Sequence, residues 1–582
     1  MTSISTKKYT GFRWVMLLTA FMAGACSGEL DQKPSTSITD ANFWKSTSDL
    51  ALACNYLYSY LPGHNQASTN VIFYQAAPFQ DFYADDFFGN GGNSVSNGTQ
   101  LVPASSPEWT GYYKLIAATN NIIEKAPLVN GDSAAVNKYV GEARFFRGFA
   151  YFELVKRFGD VPLILKTITE SDPELLTPRT DREVVLEQIY ADLNYAAAKC
   201  PSPDKQAAAE YGRITSTAAL GLLSRVGLFE GTRQKYHSYG SPGKHLTIAL
   251  GAAKAIIDGG KHGLYINAAS KDSSYYYLFQ YQAQGTSRLS AGTPTSVGSY
   301  AVNKEGILPK LYFGGGGVNV LSQFISNSLA NRNYKATKHL VDQYLYADGL
   351  PKSKSPLAKP KELNTLTEFQ NRDPRLGMTI NNKNSYNPTP ASGGGTWTLN
   401  VFYIPRKWLH YVDNANNGGF INFYTIRYAE ILLNYAELLY ELNGSISDAE
   451  LDLTVNAIRN RASGNDPRKL AVLTNSFAQA HGLNIRDEIR REREIELAME
   501  GFRYWDLIRW KTAEIELPKD VLGPRIFPAE LQKGTAIPPL NADSVSIYER
   551  GRKFDPARDY LWPVPTREIS LSGGIYTQNP NW

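Results

Sequence analysis

Catalysis needs reactive groups that can meet, and few residues of this chain have the spacing for it. The seven histidines (His64, His237, His245, His262, His339, His410 and His481) are scattered, with no H-E-x-x-H and no close helical pair. No G-x-S-x-G nucleophile elbow occurs. Asp85 and Asp86 are consecutive, whereas glycosidase carboxylates face each other across roughly 5–9.5 Å. The pair therefore reads as a solvated loop or turn cap. Cys26, Cys54 and Cys200 lack metal-ligand spacing. The run Gly314–Gly317 lacks the Lys-Ser or Lys-Thr and the following helix of a phosphate loop, and reads as a loop tip. The expectation is no catalytic residue, no metal and no cofactor.

Binding chemistry is better supplied. The chain holds 36 Tyr and 9 Trp, side chains that join a flat apolar face to a polar tip. Saccharides present C–H faces to such rings and hydroxyls to Asn, Asp, Arg and Lys. Rings and polar groups mix without helical period in 82–100 and 275–335, and Trp397 stands in a Gly-, Pro- and Asn-rich stretch at 385–400. The candidate ligand residues are Tyr83, Asp85, Phe87, Phe88 and Asn90 from the first, Tyr277, Tyr300 and Tyr312 from the second, and Trp397 from the third. Any single ring here could anchor a loop or fill a core; as a set they read as a ligand surface.

The elements that must position them are mostly helices. Apolar residues recur at three and four over 41–61, 109–126, 141–158, 183–198, 215–229 and 426–442. Small residues such as Ala143, Gly148 and Gly221 suit close helix contacts, which suggests tetratricopeptide-like hairpins. In 485–510, Ile495, Ala498, Met499 and Phe502 share a face, and charges at helix-neighbour spacing (Asp487 with Arg490 and Arg491, Arg490 with Glu494, Arg493 with Glu496) read as exposed pairs. A chain of 582 residues exceeds one ordinary core. The net charge of +5, spread along the chain, gives no footprint for nucleic acid.

The N-terminus has the order of a targeting signal: Lys7, Lys8 and Arg13, then the apolar run WVMLLTAFMA, then small residues before Cys26. The apolar run is too short for a spanning helix. Residues 1–25 read as a lipoprotein signal peptide, Cys26 as the lipid attachment site and 26–40 as a polar tether.

Several segments resemble the SusD/RagB family. The strongest is ERE-x2-LAMEGFRYWDLIRW at 492–510, joined in order by LDQKP near Cys26, ARFFRGFAYFELVKRFGDVPLI at 143–164, NRDPRLGMTI at 371–380, AIRNRASG at 457–464, YLWPVPTREI at 560–569 and YTQNPNW at the end. The resemblance implies a mainly α, SusD-like fold of tetratricopeptide-like hairpins with loop-rich insertions. It divides into an N-terminal region at 41–230 and a C-terminal SusD/RagB region at 231–582 carrying the binding loops. It places Trp109, Trp505, Trp510 and Trp562 in packing. It further implies a lipid-anchored, surface-exposed outer-membrane protein, not an enzyme, that binds glycan and delivers it to a SusC-like TonB-dependent transporter. Peptide or glycopeptide capture, as in the RagB branch, is the first alternative, and a secreted hydrolase the second.

Overall fold

A computed structural model describes residues 43–64, 76–89, 91–169, 172–286, 296–312, 334–358, 363–381, 401–410, 413, 419–531 and 534–582. The fold is mainly α-helical. Its long helices are α1 (Thr47–Leu57), α2 (Pro107–Lys125), α3 (Ser133–Phe158), α4 (Arg182–Lys199), α5 (Ser216–His237), α6 (Pro242–Asp258), α7 (Tyr428–Asn443), α8 (Val455–Ser463), α9 (Ile485–Leu497) and α10 (Arg503–Arg509). The first turns are closed by local polar groups. Ser106 accepts from the Trp109 N–H, Asp132 from the Ala135 N–H and Thr215 from the Ala218 N–H, each satisfying a donor that has no partner within its helix.

Successive helices pack on one another, α2 on α3, α3 on α4, α4 on α5, α5 on α6 and α6 on α7, as stacked hairpins. At Gly227 a Cβ would lie 2.7 Å from the His245 carbonyl oxygen, and at Gly231 2.6 Å from Leu246, so glycine at both positions lets α5 and α6 meet. Gly148 faces Leu193 and Gly221 faces Ile426, in line with the small-residue expectation. The expected regional boundary at 230 falls inside α5, so the two regions share a helix and the α5–α6 hairpin joins them. Trp109, Trp505, Trp510 and Trp562 are all buried, as packing residues should be. Cys54 and Cys200 are separate buried thiols whose pKa values burial raises.

Three two-stranded antiparallel ribbons complete the described fold: β1 (Phe87–Phe88) with β3 (Lys335–Ala336), β2 (Gly306–Lys310) with β4 (Phe423–Arg427), and β5 (Val521–Arg525) with β6 (Val545–Glu549). Around them lies a second apolar core, separate from the helical one, built of Tyr275, Phe279, Tyr281, Tyr312, Tyr334, Trp408 and Phe423 with Ile495 and Met499. These rings come from the aperiodic stretches, because a segment without a repeating face can still turn every ring inward when other segments cover it.

The charges of α9 are the main departure from expectation. Most do not form exposed pairs along the helix but are buried and reach other elements. Arg493 pairs with Asp506 at 2.7 Å, Glu494 with Arg503 at 2.8 Å, and Arg490 lies 3.6 Å from Glu441. Glu496 accepts from Arg427 at 2.7 Å, from Arg375 at 3.1 Å and from Arg461. Glu500 accepts from Lys407 at 2.6 Å and Arg427 at 2.7 Å. Although burial pushes the Glu496 carboxyl up, the three guanidinium groups outweigh it and hold it well below the usual carboxylate range.

A single-sided deletion in such a network leaves an uncompensated buried charge, which costs about 3–5 kcal/mol. Glu496→Ala should therefore lower stability by about that amount in urea unfolding, whereas Asp487→Ala, on the exposed face of α9, should stay within about 0.5 kcal/mol of wild type. Equal midpoints for the two variants would remove the network from its structural role.

Candidate functional site

The expected ligand residues divide by burial, and the division follows from local geometry. Thr337 donates its N–H to the Asp86 carbonyl at 3.0 Å and its hydroxyl to the Asp85 carbonyl at 2.7 Å. These bonds set β1 beside β3, with Phe87 opposite Ala336 and Phe88 opposite Lys335. Neighbouring strand residues point to opposite faces. Phe87 thus turns into the second core, 2 % exposed, its ring 4.9 Å from Tyr334. Phe88 turns outward, half-buried, and stacks on Tyr548 of β6 at 5.6 Å and 24°.

Two further groups join Phe88. Ala336 donates its N–H to the Tyr403 carbonyl at 2.9 Å, and the Tyr403 N–H reaches the Tyr548 hydroxyl at 3.3 Å. Phe402 is brought against Tyr548 at 5.9 Å. Lys335 sits among the three rings, 4.7 Å from the Phe402 centroid, 5.8 Å from Phe88 and 5.9 Å from Tyr548, within cation–π range. Burial lowers its pKa. At the rim, Asn97 donates to Glu549 at 3.1 Å, and Gly92 has no room for a side chain beside Glu549. Three chain segments far apart in sequence thus bring half-buried rings together around the Lys335 ammonium.

Several expectations need correction. Tyr83 is buried in the helical core, edge-on to Tyr504 and Trp562. Tyr312 is 1 % exposed, packs on His64 and takes the His64 N–H at 2.8 Å. Asp85 and Asp86 are not a solvated cap but buried; Asp85 is clamped by Arg503 through two bonds of 2.8 Å, with the His339 ring 3.2 Å away. Burial pushes the Asp85 carboxyl up, but Arg503 and His339 outweigh this and hold it low. Asp85 is therefore the strut behind β1 rather than a ligand group. Tyr277 and Tyr300 are half-buried, Tyr277 against Tyr276 at 5.3 Å and Tyr300 against His262 at 5.9 Å, and neither ring contacts Phe88. Asn90, Trp397 and Cys26 lie outside the described residues. Lys335, Phe402 and Tyr548 were not anticipated. Their only local signal was alternation in SVSIYE at 544–549, too short to mark a ring as outward.

Elsewhere the same chemistry of burial recurs. His64 is enclosed and pushed down to about 3, and its Nε2 lies 3.1 Å from the Ile421 carbonyl. Asp85, His339 and Glu516 bring ligand atoms close together, but Asp85 is already engaged by Arg503 and His339 lies 3.1 Å from Glu494, so the group works as an ion-pair network. No described helix is long and apolar enough to cross a membrane.

A helical-hairpin scaffold carrying an open face of rings has the build of a binding protein, and comparison gives the class a family. A profile described as "SusD family" matches residues 317–582, and one described as "Starch-binding associating with outer membrane" matches 30–228. The chain is 26 % identical to SusD-like protein P2 of Formosa agariphila, covering 99 % of this chain and 100 % of that one. A SusD-like protein of Bacteroides ovatus is also 26 % identical, over 85 % of this chain and 82 % of its own. Among solved structures, a SusD-like carbohydrate-binding protein of Bacteroides fragilis superposes with a TM-score of 0.71 at 24 % identity, covering 91 % of this chain and 99 % of that one. A laminarin-binding SusD-like protein gives 0.58 at 19 % identity, covering 92 % and 100 %. The chain belongs to the SusD/RagB family.

The division of rings into core and surface is testable by stability. Tyr312→Ala removes a fully buried ring and should cost about 3–5 kcal/mol. Phe88→Ala trims a half-buried one and should cost less than half as much. Denaturant midpoints that place the two variants in the reverse order would invert the assignment.

Proposed function

We propose that the protein binds glycan at the outer membrane through the face formed by Phe88, Phe402 and Tyr548. The observation that carries this is the convergence of three half-buried rings with Lys335, Asn97 and Glu549 beside them. Rings of this kind cover the C–H faces of a sugar, and the rim groups match its hydroxyls. The family profile described as starch-binding and the glycan-binding titles of two fold neighbours support the same class of ligand. Tyr277 and Tyr300, half-buried on other surfaces, are secondary candidates. The role in this reading is capture without chemistry; among the described residues the ring face holds no opposed carboxylates and no nucleophile–base pair. In this reading the bound glycan passes to a SusC-like TonB-dependent transporter. Cys26 carries the lipid that holds the protein at the cell surface, with residues 26–40 as the tether.

Screening soluble glycans by affinity electrophoresis and titrating the best by calorimetry tests the face. Phe88→Ala and Tyr548→Ala should each weaken binding by about 1–2 kcal/mol or more in variants that stay folded at the assay temperature despite the stability that trimming a half-buried ring removes. Unchanged affinity in both variants would exclude this face. A peptide library that binds where glycans do not would favour the RagB-like reading.

The anchor has its own test. Mass spectrometry of the membrane-extracted protein should find Cys26 as the first residue, bearing lipid. An unmodified Cys26, or peptides from 1–25, would refute it.

A further inference from the structure

Away from the ring face lies a polar cleft of about 870 Å³, between the end of α3, the start of α4, the end of α5 and the C-terminal segment. That volume suits a saccharide of a few units. Arg179, Arg182, Arg233, Gln234, Tyr239 and Asn579 line it. Its charges are unevenly matched. Arg182 holds Glu230 through two bonds of 2.9 Å, and Gln234 and the Tyr239 hydroxyl also donate to Glu230, each at 3.1 Å. That carboxylate is therefore fully engaged. Glu183 is taken by Lys244 at 3.0 Å and Gln234 at 3.1 Å. Asp160 accepts the Arg182 N–H at 2.9 Å, and Asp181 caps α4.

Two guanidinium groups are left over. Arg233 is 6 % exposed; its terminal nitrogens each reach the Tyr560 carbonyl at the long distance of 3.4 Å, the Tyr239 hydroxyl and the Glu230 carboxylate, already held by Arg182, are its other polar neighbours, and its Nε has no hydrogen-bond partner. Arg179 bonds neutral oxygens, the Phe158 and Asp160 carbonyls and the Asn579 amide, and its Nε is likewise unpartnered. Neither forms an ion pair with a carboxylate among the described residues. Burial lowers the pKa of both, and for Arg233 the neighbouring Arg182 adds to this. A cation withdrawn from water, as Arg233 is and Arg179 is in part, and hydrogen-bonded only to neutral acceptors is costly, and an anion from outside would relieve the cost. Tyr239 is 40 % exposed and offers a ring at the edge of the same cleft.

We propose that this cleft is a second binding site, for an acidic saccharide: Arg179 and Arg233 take its carboxylate or sulfate group, and Tyr239 covers a sugar face. The inference takes its class of ligand from the glycan reading but uses none of the ring-face residues, so either can fail alone.

The test is calorimetric titration of the full mature chain with a galacturonate oligomer, the neutral galactose oligomer of equal length, and inorganic sulfate. The acidic oligomer should bind at least about tenfold more tightly than the neutral one, with the difference shrinking as salt rises. Sulfate should compete. Arg179→Gln should weaken the acidic oligomer about tenfold, the loss of one charge-assisted contact, and is read against its own unfolding midpoint because the substitution also removes the Phe158, Asp160 and Asn579 bonds. Tyr239→Ala should weaken the acidic oligomer but not sulfate. Because Arg233 is buried, Arg233→Gln is read only alongside these two. Equal affinity for the acidic and neutral oligomers, no heat with either, or wild-type affinity in Arg179→Gln would overturn the proposal. Sulfate binding without the acidic oligomer would also overturn it, leaving a plain anion site.

Discussion

The structure depends on one buried cluster of compensated charge. Arg375, Arg427, Arg459, Arg461 and Lys407 meet Asp373, Glu305, Glu492, Glu496 and Glu500, five cations against five anions. All are removed from solvent, where a lone charge could not be held. The cluster is tolerable only because every guanidinium meets carboxylates, and that demands a fixed arrangement of α8, α9 and β4 with the segments around 305, 373 and 407. Arg427, at the end of β4, bonds both Glu496 and Glu500 and also Glu305. One side chain therefore ties the end of α9 to the β2–β4 ribbon and to the start of α7.

That constraint explains how two hydrophobic cores behave as one scaffold. The helical core and the core of loop-borne rings share few apolar contacts of their own; the ion network lies between them, with Tyr275 donating to the Glu496 carbonyl at 3.0 Å from the ring side. After α9 the chain must turn sharply to begin α10, and it does so through Met499 at φ 66° and Gly501 at φ 79°. Gly501 also lies where a Cβ would be 2.6 Å from the Ala77 carbonyl. The turn aims Arg503 at Asp85, so the motif that closes the charge cluster also holds the strand that carries Phe88.

How much of this was legible depended on range. Helical period marks a face from neighbours in the chain, so α2, α4 and α7 lie close to the extents read from it, whereas α3 starts and α5 ends eight residues beyond theirs, and Trp505 and Trp510 are buried as expected. Whether Phe87 or Phe88 faces outward depends on register with Ala336 and Lys335, almost 250 residues away, and nothing local decides it. The same holds for charge: Glu496 at helix-neighbour spacing from Arg493 looks exposed until Arg375, Arg427 and Arg461 close on it from other segments. Tyr312 failed for the complementary reason. An aromatic in an aperiodic stretch resembles a loop tip, yet the segments carrying His64 and Asn422 close on it and bury it.

The position of the ring face follows from the same economy. Half-buried rings are useful for binding only if they are already held in place, because ordering them on contact would consume the gain. Phe88 and Phe402 are held by backbone pairing of their segments, and Tyr548 by its strand and by its hydroxyl, which accepts the Tyr403 N–H. Their open sides are therefore free of obligation to the fold. The cost of holding them is borne deeper, by Thr337 on the Asp85–Asp86 backbone and Arg503 on the Asp85 carboxylate. A substitution at Arg503 would thus act on the rings without touching them, by releasing the strand on which Phe88 stands, whereas a substitution at Phe88 leaves the strut intact. The buried charges are what hold these half-buried rings in place.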